Sequence, residues 1–195
     1  MISVNQPLRT QVVQWLQQQV PASRLSHILR VEEMATQLAL QHGLDAARAA
    51  QAGIMHDLAK NFKPQQLIDL ARSHDLFIDP VMAHNPHLLH ADVSAIVAQQ
   101  EFGVTDQEIL GAIAHHTLGF PGMSPLSCVV FLADSLEPGR GDTDELNHLR
   151  QVSTENLSTA VWMNCDYTLR YLLENRRVIH PRVVETRNWF LRLGN

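Results

Sequence analysis

Cysteine is nearly missing from this 195-residue chain: only Cys128 and Cys165 occur, and no CxxC pair. That excludes a disulfide framework and a thiolate metal cage. Cys128 lies in an apolar run, where a reduced, buried thiol is the ordinary reading, and a reducing cytoplasmic setting follows. Runs of Lys or Arg are also absent, and 15 basic against 20 acidic side chains leave a formal net charge of -5. An extended basic face is therefore excluded and nucleic acid is not an expected partner, although a small anionic substrate stays open where positive charge gathers locally. No stretch approaches the roughly 18 uninterrupted apolar residues of a membrane span. The opening MISVNQPLRTQVVQWLQQQV lacks the basic and apolar regions of a signal peptide, so no membrane is expected either. Strand alternation, hairpin signals, fixed-period repeats and low-complexity segments are all lacking.

What is present is a globular composition, 45% apolar and 18% charged, in a length that suits one domain over residues 1–195. The apolar spacing is helical nearly throughout. Leu8, Val12, Trp15 and Leu16 trace a first helix, with Pro7 in its first turn and Pro21 ending it. Leu25, Ile28, Leu29, Ala35 and Leu38 trace a second, stopped at Gly43, and Asp45 caps a third, AARAAQAGIMHDLAK. Pro64 opens a helix to about His74, and PHLLHADVSAIVAQQEF, closed by Gly103, reads as another. Thr105 and Glu108 make a capping-box pattern for a helix ending near His115. The run LSCVVFLADSLE is strand or helix by periodicity alone, and its helical flanks favour helix. The loop EPGRGDTDE is the clearest break, followed by a long helix from about Thr154 to Arg177, the turn VIHP and a last helix RVVETRNWFLRL. The expected class is an all-α single domain of about eight to nine helices, with core motifs over 24–140 and C-terminal helices over 154–192.

Eleven histidines occur, and several stand beside carboxylates or at helix ends. Asp134 breaks the run CVVFLA with a carboxylate that, once buried, needs a proton or a cation. Read alone, it is equally an exposed or capping Asp. His56 and Asp57 are neighbours that diverge by about 100° on a regular helix, so they share one ion only at a helix end. Gly53 before them and KNFKP after them permit that. His84, His87 and His90 fall on one helical face; for His84 and His87 a polar stripe is the preferred reading. Imidazole and carboxylate donors suit iron, manganese, cobalt or zinc, in one ion or two.

The ordered set His27, His56, Asp57 and Asp134, on an all-helical chain, resembles the HD-domain phosphohydrolase superfamily from about Arg24 to Arg140. The segments RLSHILRV, GIMHDLAK, LLHADVSA, AHHTLG, FLADSLEPGR and VIHP resemble those of the YqeK-type bacterial symmetrical bis(5'-nucleosyl)-tetraphosphatases. That resemblance implies iron held by His27, His56, Asp57 and Asp134, and cleavage of diadenosine tetraphosphate into two ADP. It also implies substrate contacts from those ligands, from Arg24, Lys60, His90, His115, His116 and Arg140, and from the segment Arg176, Arg177, Val178, Ile179, His180 and Pro181. Among these, His90, His115, His116 and Lys60 are the candidates for catalytic groups. Leu118 and Ser94 depart from the family pattern, where Thr and Gly are common. Two alternatives are another HD enzyme, such as a deoxynucleoside monophosphate phosphatase, and a non-catalytic nucleotide sensor; a homodimer stays open.

Overall fold

In the computed structural model, which describes residues 6–193, helices begin where a short polar side chain or a proline stands before an apolar repeat. Residues 1–5 and 194–195, the outer ends of the span expected as one domain and part of the segment read for a signal peptide, lie outside the described residues. α1 (Gln6–Gln19) and α2 (Ala22–Gln41) meet at Pro21, and α2 ends before Gly43, whose φ of 66° makes the left-handed turn. α3 (Ala46–Met55) starts on Asp45, whose carboxylate accepts from the Ala47 and Arg48 amides. α4 (Pro64–Ser73) starts on its proline, and α5 (Pro80–His84) is capped by Asp79. After a 3-10 turn, Pro86–Leu89, come α6 (His90–Phe102), closed by left-handed Gly103, and α7 (Gln107–His115). α8 (Pro125–Leu136), capped by Ser124, runs into the 3-10 turn Pro138–Arg140, and α9 (Asp144–Glu155), α10 (Leu157–Glu174) and α11 (Pro181–Leu193) complete the chain.

All described residues are helix, turn or coil, as expected, but eleven α-helices replace the eight to nine anticipated. The surplus has local causes. α5 is a separate short turn of helix between Asp79 and the 3-10 turn. α9 occupies Asp144–Glu155, where no helix was expected before about Thr154; it starts on Thr143, which accepts from the Leu146 amide, and Asn156 ends it and caps α10 by accepting from the Thr159 amide. α7 is capped by Asp106, which accepts from the Glu108 and Ile109 amides, and not by Thr105. The LSCVVFLADSLE run is helical, as favoured.

α8 is the hub: Val129, Val130, Leu132 and Leu136 are fully buried, and its neighbours are α2, α3, α7 and α10. Around it, Ile28, Met55, Leu58 and Ile113 close the core on the side where the histidines gather. α3 lies hard against α2 because its contact face is small. A Cβ on Gly53 would stand 3.0 Å from the Glu32 Cα, a backbone atom that cannot step aside. Arg9 of α1 grips Glu32 bidentately at 2.6 and 2.9 Å, tying three helices at that crossing. No helix among the described residues is long and apolar enough to cross a membrane. Because the α2 to α3 contact sets the spacing of His27 and His56, Gly53→Val is expected to destabilise the chain by about 1–3 kcal/mol. Chemical denaturation measures that loss, and an unchanged midpoint would show that the crossing is not tight.

Candidate metal centre

α3 delivers its pair by stopping. His56 is the residue that closes the helix and Asp57 stands in the turn beyond it, so the two side chains no longer diverge as on a regular helix. His56 Nε2 lies 3.5 Å from Asp57 Oδ2. His27, from the middle of α2, brings Nε2 to 4.0 Å from the same oxygen and to 3.0 Å from Asp134 Oδ1 on α8. His56 Nε2 is 3.8 Å from Asp134 Oδ1, so the four expected ligands converge on one point. Asp57 has a second face. Its Oδ1 lies 3.4 Å from His90 Nε2 at the start of α6 and 3.5 Å from His116 Nε2 at the end of α7. The four imidazoles stand edge to face in a row, His27 to His56 to His116 to His90, at centroid distances of 5.4, 4.8 and 5.0 Å.

The orientation of each ring is fixed by its other nitrogen. His56 Nδ1–H donates to the Gly53 carbonyl at 2.6 Å, His90 Nδ1–H to the His87 carbonyl at 2.6 Å, and His116 Nδ1–H to the Ile113 carbonyl at 2.8 Å. A carbonyl only accepts, so the proton sits on Nδ1 and the Nε2 lone pair points inward. His27 does the same with a distant partner, its Nδ1 lying 2.9 Å from Glu137 Oε1. His27 Nε2, His56 Nε2 and Asp57 Oδ1 are then buried atoms with no hydrogen-bond partner, and the His27 lone pair faces a carboxylate oxygen. Such a ring of acceptors is stable around positive charge. A proton serves one pair at a time, whereas a metal ion serves all of these donors together, so the residues fit one. His27, His56 and Asp57 form one group that can hold an ion, and Asp57, His90 and His116 a second.

The electrostatics agree. Burial opposes ionisation of Asp57, but the positive charge His56 carries when protonated, with the His116 and His90 rings close by, holds its carboxyl well below the usual range. Burial likewise opposes charge on His56, and Asp57 outweighs it and raises the pKa. His90 is lowered to about 4 by burial and by Lys60, whose Nζ lies 2.9 Å from His90 Nε2. Asp134 is half-buried at the edge of the cluster, where Arg140 donates to its Oδ1 at 2.7 Å and to its carbonyl at 2.8 Å. Arg24 reaches Asp57 Oδ2 at 3.1 Å.

Two expected residues are placed differently. His115 is adjacent to His116 on one helix end and is turned away from the cluster; its ring stacks on Phe120 at 5.1 Å and its Nδ1 faces Ser127. Of the Arg176–Pro181 segment, His180 is buried and holds Asp79 at 2.6 Å, while Arg176, in the left-handed region at φ 52°, turns the chain out of α10. His84 and His87 are exposed, as preferred for them. Glu137 is the residue that sequence reasoning missed. It is 1% exposed, accepts from His27, from Arg30 and from the Gly139 amide, and its pKa falls to about 2 because Arg30 and His27 outweigh burial. A Cβ on Gly139 would meet the Arg30 guanidinium, so a side chain there would have to displace Arg30 from Glu137.

Glu137→Ala is expected to weaken metal retention about 10- to 100-fold, since His27 loses the partner that aims it; dialysis against a chelator followed by metal analysis reads this, and wild-type retention would deny Glu137 that role. His115 gives a pH prediction. Burial and the charge of Arg182 lower its pKa from 6.5 to about 4, so the folded state binds fewer protons than the unfolded one between those values. Stability is thus lost as pH falls from 6.5 through 4, and in His115→Gln that part of the acid loss disappears from the melting profile.

The sequence matches the HD domain family over residues 24–139. It is 32% identical over 183 residues to the symmetrical bis(5'-nucleosyl)-tetraphosphatase of Bacillus subtilis, covering 94% of this chain and 97% of that one. It is 31% identical to the protein of the same name from Halalkalibacterium halodurans, with the same shares covered. A crystal structure described as a predicted HD superfamily hydrolase involved in NAD metabolism, from Clostridium acetobutylicum, superposes with a TM-score of 0.89 at 28% identity, covering 94% of this chain and 96% of that one. With its histidines and aspartates converging as described, the chain belongs to the HD domain family of hydrolases, beside relatives named symmetrical bis(5'-nucleosyl)-tetraphosphatases.

Proposed function

We propose that the chain hydrolyses dinucleoside tetraphosphates at their centre, converting diadenosine tetraphosphate into two ADP. The observation that carries this reading is the buried carboxylate of Asp57 with an imidazole cluster on each face, in a centre whose His116 and Asp134 line a cavity bordered by Lys60 and Arg140. The relatives named for the same activity support it along nearly the whole chain. His27, His56, Asp57 and Asp134 would hold one ion, and Asp57, His90 and His116 a second. Iron is the proposed metal, and the nitrogen and oxygen donors also accommodate manganese, cobalt or zinc. When bound, a divalent cation supplies Lewis acidity toward phosphoryl oxygen and lowers the pKa of water.

The chain's own groups account for the rest. Lys60 and Arg140 put cations beside the cluster, where four phosphates bring negative charge, and Arg24 adds a third from α2. Lys60 donates to His90 and so stands where charge develops on a departing ADP. His116, with its proton on Nδ1, offers Nε2 to the reacting face. In this reading Arg176 to Pro181 approach the substrate from the C-terminal side, His180 anchoring the segment to Asp79. Residues 1–195 act as one domain, in which α10 packs on α8 of the HD core. A cytoplasmic setting is in keeping with Cys128 and Cys165, buried free thiols whose pKa burial pushes up to about 12. The partners are the dinucleotide and its ADP product.

Asp57→Ala is expected to abolish hydrolysis and metal retention together while circular dichroism keeps its helical signal. Wild-type protein should give ADP as the sole nucleotide, and in heavy-oxygen water one ADP of each pair should carry the label. AMP with ATP would contradict cleavage at the centre, and cleavage of mononucleotides alone would replace this reading with the phosphatase alternative.

A further inference from the structure

The cavity beside the cluster is lined by two chemically distinct sets of side chains. It measures about 330 Å³, and Lys60, His116, Asp134 and Arg140 make up one set. The other comes from α10, where Tyr167 and Tyr171 line the same space. Four residues apart, the two rings lie one helical turn from each other on one face. Earlier on α10, Ala160 and Val161 are fully buried in the core. Tyr171 instead keeps 56% of its surface exposed. A large amphipathic ring held out at a cavity mouth has most of its apolar area left to bury. Phe131, packed beneath the same cavity, gives it an apolar floor.

We propose that Tyr167 and Tyr171 form a stacking wall for one nucleobase of the substrate. This rests on the dinucleoside polyphosphate reading and deepens it by assigning the nucleoside end. Anionic phosphates match Lys60 and Arg140, and a flat heterocycle with a π-face matches the tyrosines. One cavity thus offers partners for both the phosphates and the base of half of such a molecule. The aromatic residues lining this cavity are all on α8 and α10, so the wall serves one half of a symmetrical substrate and the two nucleosides are held unequally. Stacking holds a base by its face, so the wall favours the larger purines without distinguishing adenine from guanine.

The test uses the metal-loaded full chain, with ADP and inorganic tripolyphosphate as competing probes in calorimetry. Tyr171→Ala should weaken ADP binding about tenfold and leave tripolyphosphate unchanged, and Tyr171→Phe should restore ADP binding. Tyr167→Ala should act in the same direction, but Tyr171, more exposed, carries the decision if that variant unfolds. Equal weakening of both probes, no change in either, or a wild-type chain that binds tripolyphosphate but not ADP would overturn the wall. Wild-type cleavage of diadenosine tetraphosphate is measured alongside. If cleavage is present and Tyr171→Ala keeps normal ADP affinity, the wall falls and the functional reading stands. If cleavage is absent while ADP affinity still depends on Tyr171, the functional reading falls and the wall stands.

Discussion

A carboxylate that is 1% exposed and presents an imidazole cluster to each of its oxygens governs this structure. Burying Asp57 costs several kcal/mol unless positive charge meets it. The fold meets that demand by bringing α2, α3, α6, α7 and α8 to one place, each contributing a donor from a middle or an end. Helix ends are suited to this. A side chain at the end of a helix escapes the 100° stepping that would otherwise separate neighbours, which is how His56 and Asp57 face the same point.

The close approach of α3 to α2 at Gly53 sits one turn from that end, so packing and ligation are settled within the same few residues. Gly53 serves twice, lending its missing side chain to the crossing and its carbonyl to His56. On the other side of the cluster, the Pro138–Arg140 turn also serves twice. Glu137 enters it holding His27, and Arg140 leaves it holding Asp134, so a short loop fixes two ligands from two helices.

The converging residues were legible because each left a mark in the chain: a carboxylate in an apolar run at Asp134, an adjacent pair before a turn at His56 and Asp57, a histidine on an amphipathic stripe at His27. The helical class was legible from periodicity for the same reason. Glu137 was not, because its role depends on packing against residues 107 and 110 positions away, and EPGR by itself reads as a polar loop. Tyr167 and Tyr171 were obscured by the apolar face of their own helix, which accounts for α10 without them. α9 carried a readable signal, Thr143 ahead of an acidic first turn, that the polar loop reading of EPGRGDTDE covered. His115, named through the family resemblance beside His116, faces Phe120 and Ser127 because neighbours on a helix end diverge.

Three of the four imidazoles are aimed by a carbonyl three residues earlier in their own segment, at Gly53, His87 and Ile113. Their aim therefore travels with a short stretch of chain and asks nothing of the surrounding helices beyond a place to sit. Only His27 borrows its aim from afar. Changes in the helices that only pack around these segments would leave the aim of His56, His90 and His116 untouched, whereas a change at Glu137 would reach His27 alone.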